Sequence, residues 1–352
     1  MNKTRLLLIG AGLMGKQYLE RLATSEIQQC VGIVAPKNKA NIAVAEKFSQ
    51  PFYSDLAGAL LEIKPDGVLL ASPNEFHYEQ AKTCINMHFP VLIEKPFILN
   101  IREGESLLKL ISKKNAKVLV GHHRMHSSIM KKAKEIIDSG VLGEVVSYRG
   151  SAQFYKPNDY FEEGPWRKKK GGGPLMLNMI HEVSNMRALC GEIAEVQALV
   201  SNSIRGFEVE DTAVINLRFV NGILGSFVLS DVAASWESWE LTAGENNAYP
   251  FYPKKSCYSI TGTLGSLSVP NMEINFFNKS DKRSWWTEFA EDKIDYNRDD
   301  PLLGQLSHFN DIIKFNNKPK VSALDGLINV KIIEAIKLAA YKGVSVNCIQ
   351  KG

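Results

Sequence analysis

The chain has little that would mark a secreted, membrane-spanning or disulfide-stabilised protein. It has 352 residues and five cysteines, an odd number without C-x-x-C spacing, which is typical of reduced thiols in a cytosolic protein. No apolar run approaches the ~20 residues that a membrane-spanning helix needs. The N-terminus leads directly into a predicted strand, without the pattern of a signal peptide. We therefore expect a cytoplasmic protein with no membrane partner.

Strong charge and internal repetition are also lacking. The formal net charge is +4, and the densest basic run, Arg167–Lys170, is short and isolated, so we expect no nucleic-acid partner. The sequence contains no internal repeat and no low-complexity tract. A hydrophobic content of 45% and a charged content of 23% are ordinary for a globular protein, and the length is sufficient for two domains.

A glycine-rich turn near the N-terminus is the most informative feature that is present. The strand-like run Arg5–Ile9 leads into the turn Gly10–Gly15 (GAGLMG), and the next segment, Lys16–Leu22, has helical periodicity. Strand, glycine turn and helix in this order are the context in which G-x-G-x-x-G predicts dinucleotide binding.

Each residue of the turn has a predicted task. Gly10 permits the tight turn, Gly12 lets the backbone approach a pyrophosphate, and Gly15 allows the helix to pack close to the strand. The free N–H groups at the start of the helix would face the phosphates, which makes Leu13 and Met14 predicted cofactor contacts.

The first 121 residues alternate between strand-like and helix-like segments, a pattern typical of a parallel α/β sheet. The further strand-like runs are Cys30–Val34, Gly67–Ala71, Val91–Ile93 and Val118–Val120; the helix-like segments between them are Asn41–Phe48, Leu56–Ile63, Glu75–Met87 and Ile101–Lys114. We predict a Rossmann dinucleotide-binding domain over residues 1–121. Since ligands of such sheets bind beyond the carboxyl ends of the strands, the loops that follow the strands should form one crevice.

Residues 122–352 are predicted to form an α+β domain with a large, mostly antiparallel sheet. Helices are predicted at Ile129–Ser139, Gly171–Cys190, Pro301–Phe315 and Asp325–Lys342; strand-like runs are Val196–Ser201, Thr212–Phe219, Leu224–Leu229, Trp239–Ala243, Tyr258–Thr261 and Ser266–Val269. Val220-Asn221-Gly222 is a hairpin signal between two of these runs. The apolar strands predict that one sheet face contacts a second subunit, giving a homodimer or homotetramer.

Several motifs in a fixed order resemble the Gfo/Idh/MocA oxidoreductases, over essentially the whole chain. The main ones are the N-terminal glycine turn, Glu94-Lys95-Pro96 after a later strand, and a Gly-Gly-Gly helix start at Gly171 that leads to His181. The resemblance implies an NAD(P)-dependent dehydrogenase or reductase. Its small-molecule substrate would be a sugar, a cyclic polyol or a related hydroxylated ring.

The resemblance assigns catalysis to Lys95 and His181. Hydride removal from a secondary alcohol requires that the hydroxyl proton also leaves, so a base must lie within hydrogen-bond reach. Lys95, at a strand end where the nicotinamide would bind, is the expected base and substrate ligand, and Glu94 could orient it. Burial and a nearby positive charge can lower the pKa of a lysine. His181 would hydrogen-bond the substrate hydroxyl and share the proton transfer.

The chain departs from the family pattern next to His181. The family commonly has a carboxylate four residues before this histidine, where this chain has Leu177, and often an Asp three residues after it, where this chain has Ser184. Asn178, three residues before His181, could bind substrate instead. Tyr160 is a further predicted substrate contact, although aromatic residues of such a sheet are more often core or subunit contacts.

Other cofactor contacts are predicted at loops that follow strands or join the domains. By resemblance they are Ser72, Pro73, Asn74, His77, Glu94, Lys95, His123, Arg124, Trp166 and Arg167. Alternatives are open for two of them, because Asn74 could be an ordinary helix cap and Arg167 could be a surface charge continuous with Lys168–Lys170. The cluster His122–His126 predicts no metal site, because no cysteine or acidic pair accompanies the histidines.

The choice between NADP and NAD depends on the end of the second strand. An NAD enzyme usually has Asp or Glu there, which binds the ribose 2′-hydroxyl. This chain has Ala35, followed by Lys37 and Lys39. A 2′-phosphate would meet cations, so NADP is the preferred prediction and NAD the alternative, in which both lysines belong to a solvated loop.

Three functional hypotheses result. The first is an NAD(P)-dependent oxidoreductase acting on a secondary alcohol or ketone of a hydroxylated ring. The second, suggested by Leu177 and Ser184, is a catalytically degenerate NAD(P)-binding regulatory or scaffold protein. The third is a dihydrodiol-type dehydrogenase for less polar rings, suggested by Leu177 and Met179.

Overall fold

The computed structural model describes residues 2–278 and 282–349, which form two compact units. The first unit contains the chain up to His123 together with Leu302–Val330, and the second contains Arg124–Pro301 and the chain from Lys331 onward. The division near residue 123 lies close to the predicted boundary at 121. Residues 302–330, which were predicted in the second domain, belong to the first unit.

The first unit is built on a parallel sheet of six strands. Its elements are β1 (Thr4–Ile9), α1 (Leu13–Thr24), β2 (Gln28–Val34), α2 (Lys39–Lys47), β3 (Phe52–Tyr53), α3 (Leu56–Ile63), β4 (Gly67–Leu70), α4 (His77–Asn86), β5 (Val91–Glu94), α5 (Ile101–Lys114) and β6 (Val118–Gly121). The strand order is β3-β2-β1-β4-β5-β6. The order reverses between β1 and β4, which is where doubly wound sheets bind nucleotides.

The second unit contains a sheet of nine strands. Its elements are α6 (Ser128–Asp138), β7 (Val145–Gln153), α7 (Asn158–Glu163), α8 (Ile180–Cys190), β8 (Ile193–Ser201), β9 (Thr212–Phe219), β10 (Leu224–Ser230), α9 (Trp239–Thr242), β11 (Tyr258–Gly262), β12 (Gly265–Val269), β13 (Glu273–Phe276) and β14 (Ala290–Lys293). The last described elements are α10 (Pro301–Phe315), α11 (Ala323–Lys342) and β15 (Val346–Asn347).

The nine-stranded sheet has the order β14-β13-β12-β11-β7-β10-β9-β8-β15. Every described pair is antiparallel except β7 with β10, so the predicted mostly antiparallel sheet is confirmed. The predicted hairpin joins β9 to β10 at Gly222, whose φ of +90° suits a glycine. The predicted strand Trp239–Ala243 was wrong, because the Ser238 hydroxyl accepts from the Leu241 N–H and caps the short helix α9.

The packing of the hydrophobic core explains why residues 302–330 belong to the first unit. All residues of β4 and β5, and all residues of β1 except Arg5, are buried, and each buried leucine stabilises the fold by about 1.5–3 kcal/mol. Four residues of α10 lie in the same hydrophobic cluster as β1: Leu302, Leu306, Phe309 and Ile312. The α10 side chains Gln305 and Asn310 also bond to Tyr18 and Thr4. Helix α10 therefore completes the core of the first unit.

Candidate functional site

The glycine turn between β1 and α1 has no room for side chains at two of its three glycines. Gly10 has a φ of +100°, and a Cβ there would lie 2.5 Å from the carbonyl oxygen of Ala71, just beyond β4. A Cβ on Gly15 would lie 2.1 Å from the carbonyl oxygen of Gly10. A Cβ on Gly12, in contrast, would have no protein atom within 4 Å. Packing within the protein therefore requires glycine at positions 10 and 15 but not at position 12.

The open space at Gly12 fits a dinucleotide. Gly12 is the N-cap of α1 and has no side chain to bind the free N–H groups of the first helical turn. These N–H groups and the positive end of the helix dipole are suited to bind a pyrophosphate. The absence of a Cβ at Gly12 allows the pyrophosphate to approach the backbone closely. Leu13, 68% exposed, and the half-buried Met14 are the first residues of this helix. We call residues Gly10–Gly15 the nucleotide cradle.

The end of β2 has no acidic side chain between positions 35 and 39. Ala35 is buried, and its N–H donates to the carbonyl oxygen of Tyr53 at 3.0 Å. Asn38 caps α2 by accepting from the Asn41 N–H at 2.8 Å. Lys37 and Lys39 on either side of Asn38 are exposed. The structure thus leaves both lysines accessible to a ligand.

His77 links the ends of β4 and β5. This fully buried residue begins α4, and its Nδ1 and Nε2 atoms each lie 3.0 Å from a carbonyl oxygen, those of Pro96 and Ser72 respectively. Burial lowers the pKa of the His77 imidazole, while the carbonyl oxygens oppose this shift. The neighbouring Pro73 and Asn74 are partly or fully exposed. His77 therefore has a structural position between two loops that were predicted to bind the cofactor.

Glu94, the last residue of β5, points into the core of the first unit. Its Oε1 accepts from the Tyr18 hydroxyl, and its Oε2 accepts from the Lys95 backbone N–H at 3.2 Å. Gln305 donates to the Tyr18 oxygen at 2.7 Å. Burial raises the pKa of the Glu94 carboxyl, and the Tyr18 hydrogen bond and the Lys95 charge oppose the shift. Glu94 thus holds the backbone of Lys95, while its predicted cofactor contact stays a prediction.

Lys95 is the first residue after β5, and it is half-buried. Its peptide bond to Pro96 is cis. The residues on both sides are buried, and both are tied to other elements: Glu94 to α1 through Tyr18, and Pro96 to α4 through His77. The backbone that carries Lys95 is therefore held on both sides.

In the second unit, a π-helical turn over Leu175–Met179 precedes α8 and interrupts the continuous helix predicted from Gly171. Such turns are frequent at functional sites. Between Gly172 and Met186, a stretch described throughout, only Leu177 and Asn178 are not buried. His181 is 5% exposed, Ser184 is 6% exposed, and Met179 is fully buried. Leu177 and Asn178 are therefore the accessible residues next to His181.

Asn178 belongs to a polar cluster that the sequence analysis missed. The Lys156 ammonium donates to the Asn178 Oδ1 at 2.6 Å and lies 3.8 Å from the Asp231 Oδ2. Asp231 also accepts from the Arg205 Nε at 2.8 Å. We call Lys156, Asn178, Arg205 and Asp231 the Asn178 cluster. No local pattern reveals it, because its members are far apart in sequence.

Arg124 lies in a second, more deeply buried network. Its guanidinium donates to Glu182 at 2.6 Å and to Glu240 at 2.5 Å, and the Tyr258 hydroxyl donates to Glu182. Burial raises the pKa of the Glu182 carboxyl, and the Arg124 charge opposes the shift. Both terminal nitrogens of the Arg124 guanidinium thus have carboxylate partners within the second unit, and its cofactor contact stays a prediction. His123, the preceding residue, is half-buried.

Tyr160 and Arg167 are packed against one another. The Arg167 guanidinium lies 3.9 Å from the centre of the Tyr160 ring and donates to the Tyr160 carbonyl oxygen. Burial raises the pKa of the Tyr160 hydroxyl. Trp166 is 48% exposed, and the Arg167 guanidinium lies 5.6 Å from its ring centre. Arg167 is thus not merely a free surface charge, but its predicted contact with the cofactor stays a prediction.

Among residues 2–278 and 282–349, no group of three or more His, Cys, Asp or Glu side chains is arranged to hold a metal ion. In the same ranges, no helix combines the length and apolarity needed to cross a membrane.

The strand order, the reversal point and the nucleotide cradle define the first unit as a Rossmann-type dinucleotide-binding fold. Residues 4–122 match the oxidoreductase family with an NAD-binding Rossmann fold, and residues 130–268 match the GFO/IDH/MocA C-terminal domain. The chain belongs to the Gfo/Idh/MocA family of oxidoreductases. The fold class and family predicted from the sequence are confirmed.

The curated relatives are distant in sequence, and some of them match this chain over most of their length. The myo-inositol 2-dehydrogenase of Thermotoga maritima is 26% identical over 334 residues, which cover 92% of each chain. The levoglucosan dehydrogenase of Pseudarthrobacter phenanthrenivorans is 25% identical over 323 residues, 82% of this chain and 77% of that protein. Matches to five other curated relatives cover only 57–66% of those proteins.

The fold is also that of a solved oxidoreductase from Agrobacterium radiobacter in complex with NAD+, L-tartaric acid and magnesium. The TM-score is 0.83 at 17% identity, with 99% of each chain covered. At this identity the likeness shows the fold alone.

Proposed function

We propose that the protein transfers hydride between a nicotinamide dinucleotide and a secondary alcohol or ketone of a sugar, cyclic polyol or related hydroxylated ring. The observation that carries the proposal is the nucleotide cradle, where no protein atom occupies the space beside Gly12. Two relatives named for dehydrogenation of myo-inositol and levoglucosan support the substrate class. When bound, the nicotinamide would accept or return the hydride.

Proton transfer is assigned to Lys95 and His181. In the oxidation direction, the Lys95 amine would take the proton of the substrate hydroxyl, and His181 would hydrogen-bond that oxygen. The held backbone on both sides of Lys95 supports this role, because a base acts efficiently only in a fixed position. In the reduction direction, the same two groups would return the proton to the forming hydroxyl.

Replacement of Lys95 tests the assignment. We expect Lys95→Met to lower kcat by about 10²–10⁴-fold, which is the usual contribution of a positioned acid or base. NADH binding, followed by fluorescence, should remain. Lys82→Met is the matched control, since Lys82 is an exposed lysine of α4 whose partner is Glu79. Wild-type turnover by Lys95→Met would contradict the assigned role.

A preference for NADP is the finer part of the proposal. It is supported by Ala35 in place of a carboxylate and by the exposure of Lys37 and Lys39. Replacement of both lysines by serine should weaken NADPH binding about tenfold, which corresponds to about 1.4 kcal/mol, and leave NADH binding nearly unchanged. Tighter binding of NADH than NADPH by the unchanged protein would assign the lysines to a solvated loop.

A catalytically degenerate homologue is the alternative that Leu177 and Ser184 favour. Turnover of any sugar or polyol by the purified protein would exclude it. The dihydrodiol-type alternative has less support, because Met179 is fully buried and only Leu177 of the two apolar residues is accessible. Exclusive oxidation of hydrophilic sugars in a substrate panel would exclude that alternative.

The proposal includes a homodimer or homotetramer formed through the sheet of the second unit. Several large apolar side chains of this sheet are exposed, among them Leu199, Val214 and Leu224. Leu199 and Val214 are paired across β8 and β9, so they form part of one sheet face. Light scattering of the purified protein should give two or four times the chain mass of 39.2 kDa.

A further inference from the structure

Lys156 is a buried cation with a defined hydrogen-bond partner. Its side chain is 8% exposed, and its ammonium lies 2.6 Å from the Asn178 Oδ1. The ring centres of Phe154 and Tyr160 are 5.7 and 5.3 Å from the same nitrogen. Lysine is rarely buried, because removal of its charge from water is costly. A position of this kind therefore calls for a specific role.

The ammonium determines which end of the Asn178 amide is presented. An ammonium group only donates hydrogen bonds, so the amide atom that faces Lys156 is the oxygen, and the NH₂ group on the same carbon is left to donate elsewhere. Asn178 is one of two residues that are not buried at the start of α8, and the other, Leu177, is apolar. The polar group available at this surface is therefore a donor.

The carboxylate nearest to Lys156 is bound more closely by another cation. Asp231 is the carboxylate next to Lys156, but it accepts from the Arg205 Nε at 2.8 Å and is 3.8 Å from Lys156. Asp211 accepts from the backbone N–H groups of Ile204 and Arg205 instead. The Arg167 guanidinium, 3.9 Å from the centre of the Tyr160 ring, is a further cation of this region. Lys156 thus shares its nearest carboxylate with another cation.

We propose that Lys156 and Asn178 determine substrate specificity by binding a carboxylate on the hydroxylated ring. The substrate class is then a sugar acid rather than a neutral sugar, an inference that rests on the oxidoreductase function proposed above. A carboxylate accepts hydrogen bonds and carries the charge that Lys156 attracts. Leu177 stands next to Asn178, at the position where the family commonly has a carboxylate. Because leucine carries no charge, it does not repel the carboxylate of the substrate.

Matched pairs of neutral sugar and sugar acid test the proposal. The pairs are D-glucose with D-glucuronate and D-galactose with D-galacturonate, each assayed with NAD+ and NADP+. We expect at least one acid to have a kcat/KM at least tenfold above that of its neutral partner, mainly through KM. Equal values, or a preference for the neutral sugars, would overturn the inference and leave the oxidoreductase assignment intact.

Variants of Lys156 and Asn178 distinguish a loss of carboxylate recognition from a loss of folding. Lys156→Met should reduce the ratio of acid to neutral kcat/KM towards one, and Lys156→Arg should restore it, since arginine keeps both charge and donors. Asn178→Asp replaces the donor with a carboxylate of the same shape and should invert the preference. Lys169→Met, at an exposed position, is the control and should keep the wild-type ratio. A wild-type ratio in both Lys156→Met and Asn178→Asp would overturn the proposal.

Calorimetry distinguishes failure of this inference from failure of the proposed function. If the wild-type protein turns over no sugar, acid or polyol, the oxidoreductase proposal fails. D-glucuronate and D-glucose are then titrated into the protein saturated with NADH. Tighter binding of glucuronate that is lost in Lys156→Met would support the carboxylate site independently of catalysis. Equal binding, or none, would overturn it.

Discussion

The two units use opposite means to build their candidate sites. In the first unit, the nucleotide cradle depends on atoms that are absent, because a Cβ at Gly10 or Gly15 would collide with backbone. In the second unit, the site region depends on charged side chains held in the interior, such as Arg124 with Glu182 and Glu240. A shape made by backbone is local in sequence, whereas a charge network joins distant residues.

This difference predicts unequal sensitivity to substitution. A cradle formed by backbone is disturbed by any added atom, but a buried ion network is disturbed most by removal of one partner. Removal leaves an unpaired charge in the interior, which costs about 3–5 kcal/mol of folding free energy. Excess volume in a packed region typically costs about 1–3 kcal/mol.

The largest effect is expected from Arg124→Met. The substitution leaves Glu182 and Glu240 without their cation, and Glu182 is fully buried, so we expect a loss of about 3–5 kcal/mol of unfolding free energy. Lys132→Met is the control, because its ion pair with Glu135 is partly exposed and screened by water, so its loss should change the unfolding free energy far less. Urea unfolding measures both. Similar losses would show that burial of the network has no special importance.

A smaller effect is expected in the cradle, where two glycines should respond differently. Gly15→Ala places a Cβ 2.1 Å from the Gly10 carbonyl oxygen and should lower stability by about 1–3 kcal/mol. Gly12→Ala meets no protein atom and should unfold like the wild type, yet bind NADH at least about tenfold more weakly, because its Cβ occupies the pyrophosphate approach. Thermal unfolding and NADH fluorescence measure the two properties. Unchanged NADH affinity in Gly12→Ala would contradict the proposed cradle.

The smallest effect is a pH dependence from His77, a titratable side chain within the first unit. Burial lowers its pKa in the folded protein below the ordinary value of about 6.5. The unfolded chain then binds the proton more readily, so stability is complete above pH 6.5 and falls as the pH decreases towards the folded pKa. The contribution is at most about 1.4 kcal/mol per pH unit. The variant His77→Gln lacks this contribution. Its unfolding free energy, measured with urea at pH 7.5 and at pH 5.5, should therefore differ less between the two pH values than that of the wild type. An unchanged pH difference in this variant would rule out His77 as the source.

Sequence reasoning worked best for elements whose structure is determined by neighbouring residues in the sequence. The parallel strands β1, β4 and β5 contain continuous apolar runs, and the glycine turn is a local motif, so both were predictable. Strand β7 was missed, because its sequence VVSYRGSAQ mixes small, polar and apolar residues and its burial does not alternate regularly. The π-helical turn at Leu175–Met179 was also missed, since a helical repeat does not reveal one extra residue in a turn.

The site of the second unit was less accessible to sequence reasoning than that of the first. Arg124 and Glu182 are 58 residues apart, and Arg124 and Glu240 are 116 apart, so no periodicity connects them. Lys156 gave no signal, because a single lysine after a strand usually lies in solvent. His77 was recognised only as a cofactor contact, although two carbonyl oxygens hold its ring.

The return of α10 to the first unit bears on the order in which the protein is made. Leu302 follows His123 by 179 residues, yet it contributes with Leu306 and Phe309 to the core around β1. At a synthesis rate of 5–20 residues per second, roughly 10–35 s pass between the two segments. During that interval, while the chain is still attached to the ribosome, the first sheet lacks the apolar contacts that α10 provides. The part of the chain that is translated first therefore completes its core only after most of the second unit, residues 124–301, has been made.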